Sequence, residues 1–332
     1  MVDPLLPHRA PEFWPPDLVE QATSARRSRP RVHRVPRASP AASDVAWAQE
    51  GTPAQLSESA ASDIRPPRFL PPPRLIAAGQ LVTPLIVYPP DQRRAYTDNT
   101  WPWTMCGLIT TEAGRTGTGS IVGPRQVLTA SHVMPWLSDG SVGWVQFQQA
   151  YTSGSSLSVS SAAVVHLYEE ASPTGQGQYS VAEDYVVLIF DEPFAAGQFG
   201  TLGYDDDWNG TPYWYNTGYP DDIAGGQRPA RQSALSVIND WSPGYFQSGH
   251  GLDLLTRASL TAGNSGGPFF GLWSEGPLPG CGPGFYIVAV VSASGYMGAI
   301  DDDWGTASRT GNWLASGNEM VQLVRNAIND YP

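Results

Sequence analysis

The sequence contains no lysine. All 19 of its basic residues are arginine, and they are divided unevenly along the chain. Residues 1–94 hold 12 Arg against 9 Asp and Glu, a net of +3, whereas residues 95–332 hold 7 Arg against 22 acidic residues, a net of −15. So acidic a body does not bind nucleic acid non-specifically; it suits solubility, outside the cell or at acidic pH. Cysteine is nearly absent as well. Cys106 and Cys281 are too few for a disulfide-framed mini-domain or a thiolate metal site. The two can form one bridge or stay as buried thiols, and the bridge is the preferred expectation. No apolar run reaches about 18 residues, so no membrane span is expected. Met1 to Pro30 lacks the continuous apolar core of a secretory signal.

Glycine (35) and proline (31) are abundant, and a hydrophobic content of 41% suffices for a sizeable core. Residues 1–84 read as a Pro/Arg-rich leader, largely disordered, with runs such as Arg26-Arg27-Ser28-Arg29 and Pro71-Pro72-Pro73-Arg74. From Trp101 onward, short apolar runs alternate with glycine turns. Strands are expected at Met105–Thr110, Thr118–Val122, Gln126–Ala130, Gly143–Phe147, Ala162–Leu167, Tyr185–Phe190, Gly200–Asp207, Tyr213–Gly218, Arg231–Asp240, Gly251–Thr256, Gly267–Phe270 and Phe285–Ser292. This is the pattern of an antiparallel barrel or sandwich, with no fixed-period repeat. At the C-terminus, Met320, Leu323, Val324, Ala327 and Ile328 fall at helical spacing, and Asn318 can act as N-cap. An amphipathic helix over 318–330 is expected to close the chain.

Three stretches carry chemistry. In Thr261-Ala262-Gly263-Asn264-Ser265-Gly266-Gly267-Pro268, a serine lies in a glycine turn. Such a turn can aim the N–H groups of Gly263 and Ser265 at one oxygen, as an acyl-transfer transition state requires. In Thr129-Ala130-Ser131-His132, an apolar strand leads into a histidine among small residues. A neutral imidazole there can take a proton from a hydroxyl and return it to a leaving group. In Glu183-Asp184-Tyr185-Val186-Val187-Leu188, a carboxylate stands where a turn meets a buried strand. Asp184, which abuts the apolar run directly, is preferred over Glu183 as the group that orients the imidazole.

In the order His, Asp, Ser, these stretches resemble trypsin-like (chymotrypsin-fold) serine proteases. Thr129-Ala130-Ser131-His132 is similar to that family's T-A-x-H, Asp184-Tyr185-Val186-Val187-Leu188 to its D-[IY]-A-L strand, and Gly263 to Pro268 to its G-[DN]-S-G-[GS]-P. The V8-like glutamyl endopeptidase branch is closer still, through Asp91-Gln92-Arg93, Trp101-Pro102-Trp103, Gly117-Thr118-Gly119 and Gly218-Tyr219-Pro220-Asp221. The resemblance covers roughly residues 85–332. It implies an all-β fold of two six-stranded antiparallel Greek-key barrels, about 85–195 and 196–317, then the helix. It also implies His132 as general base, Asp184 as its orienter and Ser265 as nucleophile, with Gly263 and Ser265 forming the oxyanion hole. Peptide or protein substrates follow, with no metal or organic cofactor, no nucleic acid or membrane partner, a monomeric state and a secreted location.

The sequence departs from that branch in the pocket. Glutamyl enzymes place Thr or Ser where Leu260 stands and His where Val291 stands, and a buried glutamate side chain without partners is costly. With Ser259, Leu260, Val291 and Ser292 as pocket residues, a neutral or apolar P1 residue is expected, and Ser259 provides no acidic floor for Arg or Lys. Trypsin-like zymogens pair an Asp before the nucleophile with a newly cut N-terminus, which Asn264 cannot do. The leader is therefore expected to be a pro-segment removed within Leu81–Ala95 by another mechanism, Arg93-Arg94 being one candidate cleavage site. Asn209-Gly210-Thr211 fits a glycosylation acceptor, and Asp205–Asp207 and Asp301–Asp303 are weak calcium candidates, read first as solvated loops. His166 and His250 read as ordinary strand and loop residues. The alternatives are a non-catalytic binding module on the same fold and an esterase-like serine hydrolase.

Overall fold

The computed structural model describes residues 31–34, 85–137, 142–167, 181–194, 197–204, 208–241, 251–273, 282–296 and 310–332. Cys281, His250, both acidic clusters and the leader except residues 31–34 lie outside these. The first part of the chain forms β1 (Arg31–Arg34), β2 (Arg94–Ala95), β3 (Cys106–Thr111), β4 (Thr116–Ile121), β5 (Gln126–Thr129), β6 (Val145–Gln149), β7 (Ser158–Leu167) and β8 (Val186–Phe190). The second forms β9 (Gly200–Thr201), β10 (Trp214–Gly218), β11 (Ala230–Leu235), β12 (Val237–Trp241), β13 (Leu252–Thr256), β14 (Pro268–Trp273), β15 (Gly284–Tyr296) and β16 (Thr310–Ser316), followed by α1 (Asn318–Asp330).

Strands β3 to β8 close into a barrel in the order β7-β6-β3-β4-β5-β8, with β8 pairing back onto β7. Closure depends on β7, which pairs with β6 through Ser158–Ser161 and with β8 through Ala162–Leu167, the register shifting between Ala162 and Val164. The edge left free on the second half of β7 is taken by β1, antiparallel, with Arg31 opposite Leu167. Periodicity in the leader gave no sign of this strand. The barrel interior is filled by Ile109, Ile121, Val127, Val145, Phe147, Val165 and Leu188, among others. Five consecutive residues of β8, and all four of β5, are buried, which is why the Tyr185–Phe190 run shows no alternation.

The second sheet follows the path β12-β13-β16-β15-β14-β10-β11-β2, with β9 beside β15. It curls because β11 and β12 are halves of one bent strand with only Ser236 between them, and Ala234 at the bend has φ 56°. One half pairs with β10 and the other with β13. Sequence reading missed β16. All of Gly311–Ser316 is buried, so no in–out alternation marks it. Its polar residues serve the fold: Asn312 bonds Ile86 N–H, Ile86 C=O and Ala258 C=O.

Two local expectations change. Cys106 is a free thiol and not half of a bridge; it is 1% exposed, lies 3.7 Å from the Ser120 hydroxyl, and burial pushes its pKa up to about 12. Asn318 is the first helical residue and not the N-cap, a position held by Gly317 without a side-chain cap bond. The helix returns to the first barrel and buries Met320, Leu323, Val324 and Ala327 there. Buried Gln126 on β5 donates to the Ala327 carbonyl, which also accepts the Tyr331 N–H that closes the helix, and to the Tyr331 carbonyl just past the helix end. Leu323→Ala is expected to lower stability by about 2–5 kcal/mol, measured by urea unfolding.

Candidate active site

His132 lies in a single turn, Ser131–Val133, that β5 enters through extended Ala130. Small residues suit this position because the turn is packed from both sides. Trp136 Nε1 donates to the Ser131 carbonyl at 2.8 Å, and Arg115 donates to the His132 carbonyl at 2.9 Å. The imidazole keeps about a third of its surface open (34%), while its partner Asp184 is 1% exposed.

Asp184 stands between the Val181–Glu183 turn and β8. Its Oδ1 accepts the His132 backbone N–H at 2.9 Å, and its Oδ2 accepts His132 Nδ1–H at 2.6 Å. Its Oδ2 also accepts the Ser292 hydroxyl from β15 at 2.5 Å. Burial alone would lower the imidazole's proton affinity, but the Asp184 charge and hydrogen bond outweigh it and hold His132 above its usual value, against a small opposing effect of Arg115. With Nδ1–H engaged by the carboxylate, Nε2 is left as the basic nitrogen.

Ser265 is anchored to both sheets. Its carbonyl accepts Thr118 N–H from β4 at 2.8 Å, while Gly266 N–H donates to Val291 C=O on β15 at 2.8 Å. Thr118 is the hub. Its hydroxyl donates to Gly263 C=O at 2.7 Å and accepts Tyr219 N–H at 3.0 Å, which gives the Gly117-Thr118-Gly119 and Gly218-Tyr219 motifs their physical role. Gly263 has φ 87° and Gly266 φ 78°. A Cβ on Gly263 would lie 2.0 Å from Tyr219 O, and one on Gly266 2.1 Å from Thr129 Oγ1 and 2.7 Å from Ala130 N, so no side chain fits either place. A Cβ on Gly117 would meet Val133 at 2.8 Å and Ser265 O at 3.1 Å; the serine and histidine turns thus converge. The Asn264, Gly266 and Gly267 amides donate to protein carbonyls, whereas those of Gly263 and Ser265 find no backbone acceptor among the described residues.

Of the expected pocket residues, Leu260 and Val291 are fully buried in one apolar cluster. Ser259 Oγ donates to Tyr88 C=O and accepts Tyr88 N–H, and Ser292 serves Asp184; neither hydroxyl lacks a protein partner. Arg93 is 5% exposed, so Arg93-Arg94 is not an open cleavage site. Asp253 escaped sequence reading, since it occurs in an otherwise apolar strand. It is 1% exposed, both its oxygens lack partners among the described residues, and burial first, then the charges of Glu183 and Asp184, push it well above the usual carboxylate range.

One closed barrel and one curled sheet, joined by a serine turn bonded to both, define the chymotrypsin-like class of fold. Residues 117–276 match the family model described as a trypsin-like peptidase domain. The solved structure "Glu endopeptidase in complex with MPD" is similar in fold, with TM-score 0.55 and 16% identity over 74% of this chain and all of that one. The protease Anisep from Arthrobacter nicotinovorans aligns with TM-score 0.49 and 19% identity over 71% of this chain and 99% of that one. No curated protein matches the sequence. Among the described residues, no helix is long and apolar enough to cross a membrane.

Asp253 also sets a pH dependence. In the unfolded chain its carboxyl ionises near pH ~3.9, while in the fold it stays protonated to higher pH. The unfolded state then binds fewer protons, so stability falls as pH rises from that value through the folded one. Asp253→Asn is expected to flatten this decline and to raise Tm more at pH 8 than at pH 4, read by thermal melts across the range.

Proposed function

We propose that the chain is a serine endopeptidase acting through an acyl-enzyme on Ser265. The observation that carries this reading is the buried Asp184 carboxylate, which takes His132 Nδ1–H on the same oxygen as the hydroxyl of Ser292. Ser292 directly follows the residue that anchors the Ser265 turn. His132 Nε2 takes the Ser265 proton as Oγ attacks a peptide carbonyl, then protonates the departing amine. Asp184 holds the tautomer and stabilises the imidazolium. The Gly263 and Ser265 amides receive the oxyanion, and water releases the acyl group by the reverse path. Leu260 and Val291 stand where glutamyl enzymes carry hydrogen-bonding groups, which favours a neutral or apolar P1 side chain over glutamate. The V8-like resemblance supports a secreted, monomeric enzyme made with a pro-segment.

The deciding measurement is labelling by a fluorophosphonate probe together with cleavage of a peptide library. Wild type is expected to do both and Ser265→Ala neither. Labelling with hydrolysis of small esters but no peptide would favour an esterase, and an unlabelled, folded chain a binding module. Asp184→Asn is expected to lower kcat by roughly 10³–10⁴-fold with little change in KM.

The pH profile provides a separate check. The Asp184 carboxylate raises His132 above its ordinary value. The base is active only when neutral, so kcat/KM should fall on acidification with a midpoint above ~6.5. In Asp184→Asn that midpoint should move down. A midpoint unchanged by this substitution would contradict the assignment.

A further inference from the structure

The most completely bonded charge among the described residues is Arg93, whose side chain is only 2% exposed. All five guanidinium N–H groups have acceptors. Nε reaches the two Asp91 oxygens at 3.1 and 3.2 Å. Nη1 donates to Asp222 Oδ1 at 2.9 Å and Thr261 Oγ1 at 3.0 Å, and Nη2 to Asp91 Oδ2 at 2.8 Å and Asp222 Oδ2 at 2.6 Å. The Thr261 hydroxyl in turn donates a hydrogen bond to Asp222 Oδ1 at 2.5 Å. One planar cation therefore ties together three segments distant in sequence, a geometry suited to arginine and not to lysine.

Two of those segments build the turn before the nucleophile. Thr261 and Asn264 are bonded reciprocally: Thr261 N–H donates to Asn264 Oδ1, and Asn264 N–H to Thr261 C=O, each at 3.1 Å. Asp221 N–H, beside Asp222, donates to Ala262 C=O at 2.8 Å. Gly263 is enclosed by Tyr219 O and Asp221 Oδ1. The turn that presents the Gly263 and Ser265 amides is thus held from one side by 219–222 and from the other by Thr261, and Arg93 bonds both. Upstream of Arg93 the chain stays pinned: Leu260 N–H donates to Ile86 C=O, and Ser259 brackets the Tyr88 backbone.

We propose that Arg93 is the positioning residue of the oxyanion turn. Its permanent charge is built into the chain and does there what a newly cut N-terminal amine does in trypsin-like zymogens. The uncut chain then already has a shaped site, and the 86–93 strip belongs to the working enzyme. A maturation cut upstream of Ile86 leaves the clamp whole, whereas a cut at Arg93-Arg94 separates it from the body. This inference rests on the serine-hydrolase reading above.

The test uses the full chain and measures Ser265 acylation by a fluorophosphonate, peptide kcat and KM, and Tm. Arg93→Ala is expected to slow acylation about 100-fold, the scale of a lost oxyanion donor. The loss should fall on kcat more than KM, and millimolar guanidinium, but not sodium chloride, should restore it in part. Thr261→Val removes one hydroxyl link without opening a buried charge, and about a tenfold loss is expected, equivalent to one hydrogen bond. Should Arg93→Ala fail to fold, Thr261→Val decides. A wild-type acylation rate in either folded variant overturns the proposal, as does a slowed Arg93→Ala that guanidinium leaves unchanged. Labelling of wild type only after the leader is cut away overturns this proposal and leaves the serine reading standing. A chain unlabelled in both forms removes that reading too.

Discussion

Two adjacent residues of β15 hold the site together. Val291 exchanges backbone bonds with the serine turn, accepting from Gly266 N–H and donating to Gly267 C=O, and Ser292 donates its hydroxyl to Asp184. Residues separated by about 80 positions in sequence are thereby fixed to consecutive positions of one strand. A strand with neighbours on both sides has little freedom to shift, because slipping by one residue would turn every buried side chain to the wrong face. On β15 the run Ile287–Val291 is buried on both faces, so a slip would force each side chain into a core packed for another residue. The position of Ser265 relative to the His132–Asp184 pair is therefore as firm as the core of the second sheet.

The carboxylates around the site show how burial and hydrogen bonding divide the work. Removing a charged carboxylate from water costs several kcal/mol even after relaxation. Asp184 offsets this with three donors, and bonds to a charged group contribute about 1.5–3 kcal/mol each. Asp253 has none among the described residues and is held in its neutral form. The two outcomes are linked. A second ionised carboxylate here would oppose ionisation of the first, so a neutral Asp253 allows Asp184 to keep its charge for the imidazole. An apolar residue of similar size would serve stability equally well, and the structure gives no reason for the carboxyl at this place.

Much of this arrangement was legible in the sequence, and the reasons differ from element to element. The serine turn could be read because its backbone conformation admits only glycine at Gly263 and Gly266, so the constraint is written in the residue type. The first barrel could be read because β5 and β8 are continuous apolar runs between turns. The helix could be read from its period, although Gly317 and not Asn318 proved to be its cap. Strand β16 was illegible because burial on both faces removes alternation and its Asn312 is polar for a backbone partner far away. Strand β1 was illegible because its pairing depends on an edge created by the bend in β7. Ser292 was assigned to the pocket wall; its hydroxyl instead serves Asp184, a partner 108 positions away that no local pattern reveals.

Long-range hydrogen bonds carry the folded body upstream of the matched family segment, which starts at residue 117. Residues 86–96 contain a single two-residue strand, β2, and would pass as a linker by composition. Yet Ile86 completes the hydrogen bonding of the buried Asn312 side chain, Tyr88 completes that of Ser259, and Arg93 completes that of Asp222 and Thr261. Removing the strip would take partners from two buried polar side chains of the second sheet, Asn312 and Ser259, each costing about 1–3 kcal/mol. Against a total stability of about 5–15 kcal/mol, that loss is too large for a dispensable leader. The strip is therefore part of the second sheet's structure.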